Sequence, residues 1–211
     1  MMFRLLQLAD SAFPTGGFAH SAGLEAAVQL GEVPDVAGYV EEALWHAVHG
    51  VLPFVRDAHR TPDRLAELDG RAEAFLVSHV ARRASRAQGR ALVATAARAF
   101  EGVGEIGRWE KAVKAGSLRG HLGPITGAVC AAAGVGEREA LGMALHSTAR
   151  GLLSAAVRLG KLGPLEAQRL HARLPMEEMM AGVPEEPTST APLHEVFGAL
   201  HDRLYTRLFQ S

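Results

Sequence analysis

A single cysteine, Cys130, in 211 residues has no partner for an intramolecular disulfide. Aromatic residues make up only 6% of the chain and β-branched residues are sparse, which removes much of the usual material of a sheet-built core. Charge of neither sign dominates. Lysine and arginine number 22 against 23 aspartates and glutamates, a formal net charge of −1, so no bulk field exists to hold a nucleic-acid backbone or an anionic membrane. No window reaches the roughly 18 to 20 uninterrupted apolar residues of a membrane span. The opening MMFRLLQLADSAFP has too short an apolar run for a signal peptide, and the expectation is a cytoplasmic protein.

Alanine is abundant and apolar positions recur at three and four rather than two, which predicts an all-α, single-domain helical bundle over residues 1–211. VLPFV, residues 51–55, is the only strand-like run. Gly31 and Pro34 stop a first helix that begins near Ser21, and Asp35 can cap the next. Thr61-Pro62 and Gly163-Pro164 read as further helix starts. In residues 137–163, Leu141, Leu145, Leu152 and Leu159 share a stripe with Ala149 and Ala156, which predicts a central buried helix with Arg150 and Arg158 at its borders as solvated guanidiniums. Residues 176–192, MEEMMAGVPEEPTSTAP, are rich in proline, threonine and serine and read as a loop or linker. Beyond it a C-terminal amphipathic helix or tail, 193–211, places Leu193, Val196, Phe197, Leu200, Leu204, Tyr205 and Leu208 on one face. That face has two possible fates, docking on its own domain or on another protein.

Chemistry has no evident owner in this sequence. GVGEIG, residues 102–107, matches the letters of a dinucleotide fingerprint but follows a helical run instead of a strand, so it reads as a loop between helices. Gly160-Lys161 is followed by leucine and lacks the upstream glycine of a P-loop. His46 and His49 lie one turn apart without a cysteine or carboxylate to complete a metal set. Cys130 sits among small apolar residues as a buried thiol, and Ser21 and Ser117 lack a triad partner. The expectation is therefore no catalytic residue, no cofactor and no metal. Arg82, Arg83, Arg86, Arg90 and Arg98 make one helix locally basic, which suits either a solvated face or an acidic partner.

FPTGGFAHSAGLE, residues 13–25, raises a separate question: what does so permissive a turn do immediately before a helix? Gly16 and Gly17 allow positive φ or close approach of another element. LLQLADSAFPTGGFAHSAGLEAA resembles the N-terminal signature of the UreF family of urease accessory proteins in Pro14, Gly16, Phe18, His20, Ser21, Gly23, Leu24 and Glu25. SRAQGRALV is similar to that family's middle arginine-glycine motif, and LLSAAVRLGKLGPLEAQRL to its late helix pair. HDRLYTRLFQS is similar to its tail through His201, Tyr205, Arg207, Leu208, Phe209 and Ser211.

The resemblance implies a non-catalytic, homodimeric scaffold that bridges the urease accessory protein D/H and the GTPase UreG, so that nickel reaches the urease apoprotein. It implies partner-binding roles for Phe18, His20, Tyr205, Arg207, Leu208 and Phe209, and a structural turn at Pro14, Gly16, Gly17 and Gly23. Two positions depart from the family pattern. Phe18 lacks the hydroxyl of a tyrosine found in some relatives, and Asp202 stands where glutamate is common. The competing readings are a helical enzyme or small-ligand or metal binder with a buried pocket, and a plain structural homodimer.

Overall fold

The computed structural model describes residues 2–211, and among them no strand occurs. The α-helices, in chain order, are α1 (Met2–Ala9), α2 (Leu24–Gln29), α3 (Val36–Gly50), α4 (Leu52–Arg60), α5 (Leu65–Phe75), α6 (His79–Ala99), α7 (Gly104–Lys114), α8 (Leu122–Ala132), α9 (Glu137–Arg158), α10 (Pro164–His171), α11 (Met176–Ala181) and α12 (Pro192–Leu200). Short 3₁₀ turns cover Gly17–Ala19, Pro62–Arg64 and His201–Arg203. No helix is long and apolar enough to cross a membrane among the described residues.

The punctuation residues act as their chemistry predicts. Asp35 accepts the Ala37 and Gly38 amides at 3.0 Å each and so caps α3. Pro164 opens α10, with Glu166 reaching back to the Gly163 amide at 3.3 Å. Thr61 instead donates its hydroxyl to the Asp57 carbonyl at the end of α4, and Pro62 begins only a 3₁₀ turn.

The strand-like run 51–55 is helical. Pro53 falls in the first turn of α4, where its missing N–H costs nothing, and Leu52, Phe54 and Val55 are all buried. Residues 52–56 of α4 are buried on every side, and such a stretch carries a continuous apolar run that periodicity alone cannot separate from a buried strand. α9 is the central helix its stripe predicts: Leu141, Leu145, Ala149, Leu152 and Ala156 are in the core, with α4 and α8 packed beside it.

Residues 176–192 differ from a plain linker. Their first six residues form α11, whose Met179 is fully buried. The remainder is pinned to the bundle by Arg56, which donates to the Pro184 and Glu185 carbonyls at 2.7 and 2.6 Å, and by the Thr188 amide on the His49 carbonyl at 2.9 Å. Composition reports poor helical propensity; it does not report a buried arginine waiting for carbonyls.

The tail departs further. α12 ends at Leu200, and residues 204–211 run on without helix. The apolar face is divided between its two possible fates: Leu193, Val196, Tyr205 and Leu208 are exposed, Phe197, Leu200 and Leu204 are half-buried, and His194 and His201 are buried. The helical wheel assumes an apolar receiving surface. Here the receiving surface is polar, with Glu25 bonded to His201 and Tyr39 packed against the His194 ring at 4.2 Å.

Candidate functional site

The glycine turn and the tail, nearly the whole chain apart in sequence, fold into one another. Ser21 donates its amide to the Ser211 carbonyl at 2.5 Å and its hydroxyl to the same oxygen at 3.1 Å. Gln210 donates its amide to the Ala19 carbonyl at 2.7 Å. His20 Nδ1 lies 2.6 Å from the Ser211 hydroxyl, and Gln29 donates to the Thr206 carbonyl at 3.0 Å. The turn therefore serves as one edge of a clasp that holds the C-terminal segment. Backbone geometry explains its glycines. Gly16 has φ 73°, and Gly23 has φ 85° with its α-carbon against α12, where a Cβ would come 2.9 Å from the Gly198 nitrogen. Gly17 has neither requirement; it simply begins the 3₁₀ turn. Pro14 contributes its carbonyl, which accepts the Thr95 hydroxyl of α6 at 3.1 Å.

At the centre of the clasp is Glu25, 1% exposed. Its carboxylate accepts the Leu208 amide at 2.6 Å, the Phe209 amide at 3.2 Å and His201 Nε2–H at 2.9 Å. A carboxylate can only accept, so Nε2 of His201 is the donor, and its Nδ1 has no partner among the described residues. A carboxylate so placed holds the tail backbone more firmly than side-chain packing could, since each bond is charge-assisted. The sequence marks Glu25 and His201 only as members of two separate motifs; nothing local shows that they pair.

Arg158 completes the assembly from below. Its guanidinium sits over the Phe18 ring at 4.0 Å and the Phe209 ring at 4.1 Å, and it donates to the Phe18 carbonyl at 2.6 Å. The solvated arginine expected at the border of the central helix is thus a bracket between turn and tail. Arg150 likewise donates to the Ala9 carbonyl at 2.5 Å, tying α1 to α9.

Of the residues implicated by resemblance, Phe18, Tyr205 and Leu208 stand exposed on the clasp, with Tyr205 free of side-chain packing. Arg207 is exposed and reaches Asp202 at 3.4 Å. His20 and Phe209 face inward, one to Ser211 and the other to Arg158. Burial first, then the Arg83 charge and His201, lower the His20 pKa and favour its neutral ring.

Asp202 gathers the basic helix to the tail. Arg83 donates two bonds to it at 2.9 and 2.7 Å, and His79 lies 3.1 Å away. These bonds, from Arg83 first, hold the Asp202 carboxyl at about 2. A depressed carboxylate contributes stability that is fully present above its unfolded pKa of about 4 and is lost as pH falls through about 2. Asp202→Asn is therefore expected to destabilise the chain at neutral pH. Its denaturation midpoint should converge with that of the parent between about pH 4 and pH 2; a difference independent of pH would contradict the assignment.

Arg82 and Arg86 pair with Glu73, at 3.5 and 3.6 Å, so much of the basic face is neutralised within the chain. Glu73 also accepts from His121 Nε2 at 2.7 Å, while His121 Nδ1 faces the Ser85 hydroxyl at 3.1 Å. Although burial opposes it, the His121 bond and the Arg86 charge keep the Glu73 carboxyl below its usual range. A serine, histidine and glutamate in line suggest a catalytic triad, but the surroundings make this a helix-start lock. His121 is fully buried and the Ser85 hydroxyl accepts the Leu122 amide at 3.1 Å. The amides of Arg119, Gly120 and His121, which might have cradled an oxyanion, are bound by Asp69 at 2.5 to 3.2 Å. These partners lie 36 and 48 residues from His121, beyond any local sequence signal.

Only Gly102 and Val103 of GVGEIG are loop: residues 100–103 turn between α6 and α7, with no strand before them, and residues 104–107 already form the first turn of α7. His49 Nδ1 bonds the Trp45 carbonyl at 2.8 Å, and His46 faces Glu195 at 3.8 Å. Burial pushes the Cys130 thiol up to about 12. Among the described residues no group of three or more histidines, cysteines or carboxylates is placed to hold a metal ion.

A family model described as UreF matches residues 32–175, about two thirds of the sequence. The chain belongs to the UreF family. It is 35% identical to urease accessory protein F of Arabidopsis thaliana over 227 aligned positions, which cover all of this chain and 93% of the relative. Urease accessory protein F of Oryza sativa subsp. indica is 35% identical, covering 96% of this chain and 82% of its own. Urease accessory protein UreF of Photorhabdus laumondii is 32% identical, covering 100% and 98%. The UreF model itself stops short of the glycine turn and the tail. The Arabidopsis and Photorhabdus alignments extend over both, so the clasp lies within the region of family likeness.

Proposed function

We propose that this UreF-family chain is a cytoplasmic urease maturation scaffold that catalyses no step of its own. It bridges the urease accessory protein D/H and the GTPase UreG, and as a homodimer supports nickel insertion into the urease apoprotein. The names of its relatives support the urease connection. The observation that carries the scaffold reading is the clasp: Phe18, Tyr205 and Leu208 stand exposed on backbone that is held on both sides by buried hydrogen bonds. Side chains carried on backbone held in this way leave only their own rotamers to be ordered when a partner covers them, which lowers the entropic cost of an interface anchor.

Co-purification with the D/H protein tests the proposal directly. Phe18→Ala and Arg207→Ala are expected to leave the melting curve within a few degrees of the parent. Each should weaken association about tenfold or more, with a matching loss of nickel loading in urease. Unchanged pull-down with unchanged nickel loading would remove the clasp from the interface. Stoichiometric retention of a small ligand or metal by the isolated chain would favour the pocket-bearing alternative instead.

A further inference from the structure

A second surface lies outside the clasp. The start of α3, the turn leading into α10 and α10 itself enclose an open cleft of about 490 Å³, with Lys161, Arg169 and Arg173 along its rim. The ion pairs of the molecule lie elsewhere, and among the described residues none of these three cations has a carboxylate within salt-bridge reach. Two acids do line the cleft, yet both are engaged. Asp35 holds the Ala37 and Gly38 amides, and Glu166 holds the Gly163 amide. Three unpaired cations concentrated on one cleft are notable in a chain whose formal charge is −1.

We infer that this cleft is a docking groove for an acidic, aliphatic segment of a partner protein. Charge complementarity selects an anionic occupant. The floor selects a peptide over a free phosphate: Val36, Leu162 and Leu170 are half-buried apolar side chains that a phosphate cannot use. Helix N-termini bind phosphate through free amides, and at α3 and α10 Asp35 and Glu166 already occupy amides there. An extended segment alternating carboxylates with leucines would set its apolar side chains on that floor and its charges against the rim. The groove uses none of the clasp residues, so the two surfaces can be disabled separately.

The test uses the full chain and a fluorescein-labelled peptide of alternating aspartate, leucine and glutamate, with binding read by anisotropy. Saturable binding is expected, weakening about tenfold in R169E/R173E and also as salt rises from about 50 mM to about 300 mM. Both substituted side chains are exposed, and K161E, in the turn before α10, provides an independent variant should the double one melt early. Replacing the peptide leucines with serine should weaken binding further. Absence of binding, equal affinity for the charge-reversed variants, or displacement of the peptide by inorganic phosphate at the same concentration would each overturn the inference.

Discussion

Glu25→Ala is expected to release the C-terminal segment and destabilise the chain by about 3 to 5 kcal/mol, the usual cost of removing one member of a buried, hydrogen-bonded ionic group. The carboxylate binds three donors at once: the Leu208 and Phe209 amides and His201 Nε2. Alanine leaves all three in a dry environment without an acceptor, and the tail can rehydrate them only by leaving its bed. Amide exchange should show the change at Leu208 and Phe209, where protection falls to that of an open segment while α4 and α8 stay protected. Glu25→Gln retains one acceptor but turns an amide NH₂ towards a backbone donor, and it should fall between the parent and alanine. Protection at 208–209 undiminished in Glu25→Ala would show that Arg158 and the Ser21–Ser211 contacts suffice alone.

Gly127→Ala acts in the core, with an expected loss of about 3 kcal/mol or more and a Tm lowered by roughly 10 °C. A Cβ on Gly127 would come 2.0 Å from the Val55 carbonyl oxygen and 2.9 Å from the His59 nitrogen, both backbone atoms of α4. Backbone cannot rotate aside as a side chain does. The two helices would have to separate, opening gaps along Ile125, Val129, Leu52 and Val55. Gly151→Ala in α9 provides the control, because a Cβ there meets nothing within 4 Å. That substitution should stabilise by about 0.5 to 1 kcal/mol through helix propensity alone. Equal melting temperatures for the two variants would mean that the α4–α8 contact adapts and is not close-packed.

These two sites show where sequence reading succeeds and where it stops. Gly127 sits in a small-residue helix whose existence is legible, yet its indispensability depends on which backbone lies opposite. The apolar stripe of the tail is equally legible, but which of its two fates it meets, its own domain or another protein, is not. Helical periodicity identifies a face without naming its neighbour. For α12 and the turn after it the neighbour is partly polar, so the fully buried positions are His194 and His201, while Leu193, Val196, Tyr205 and Leu208 remain outside. Arg158 is a similar case. A guanidinium at the border of a buried helix looks solvated until two aromatic rings, 140 and 51 residues away in sequence, close over it.

By itself the sequence determined the helical class, the starts of α3 and α10, the central helix α9, the buried thiol and the two terminal motifs, because these follow from propensity, capping chemistry and spacing within a few turns. Only the tertiary structure decided that the two motifs are halves of one clasp, that Glu25 is its centre, and that the Ser85, His121 and Glu73 set is bound up in holding a helix start. The physical reason is range. Local chemistry acts over four residues or so, whereas a hydrogen bond between residues 25 and 208 forms only after the bundle between them has packed.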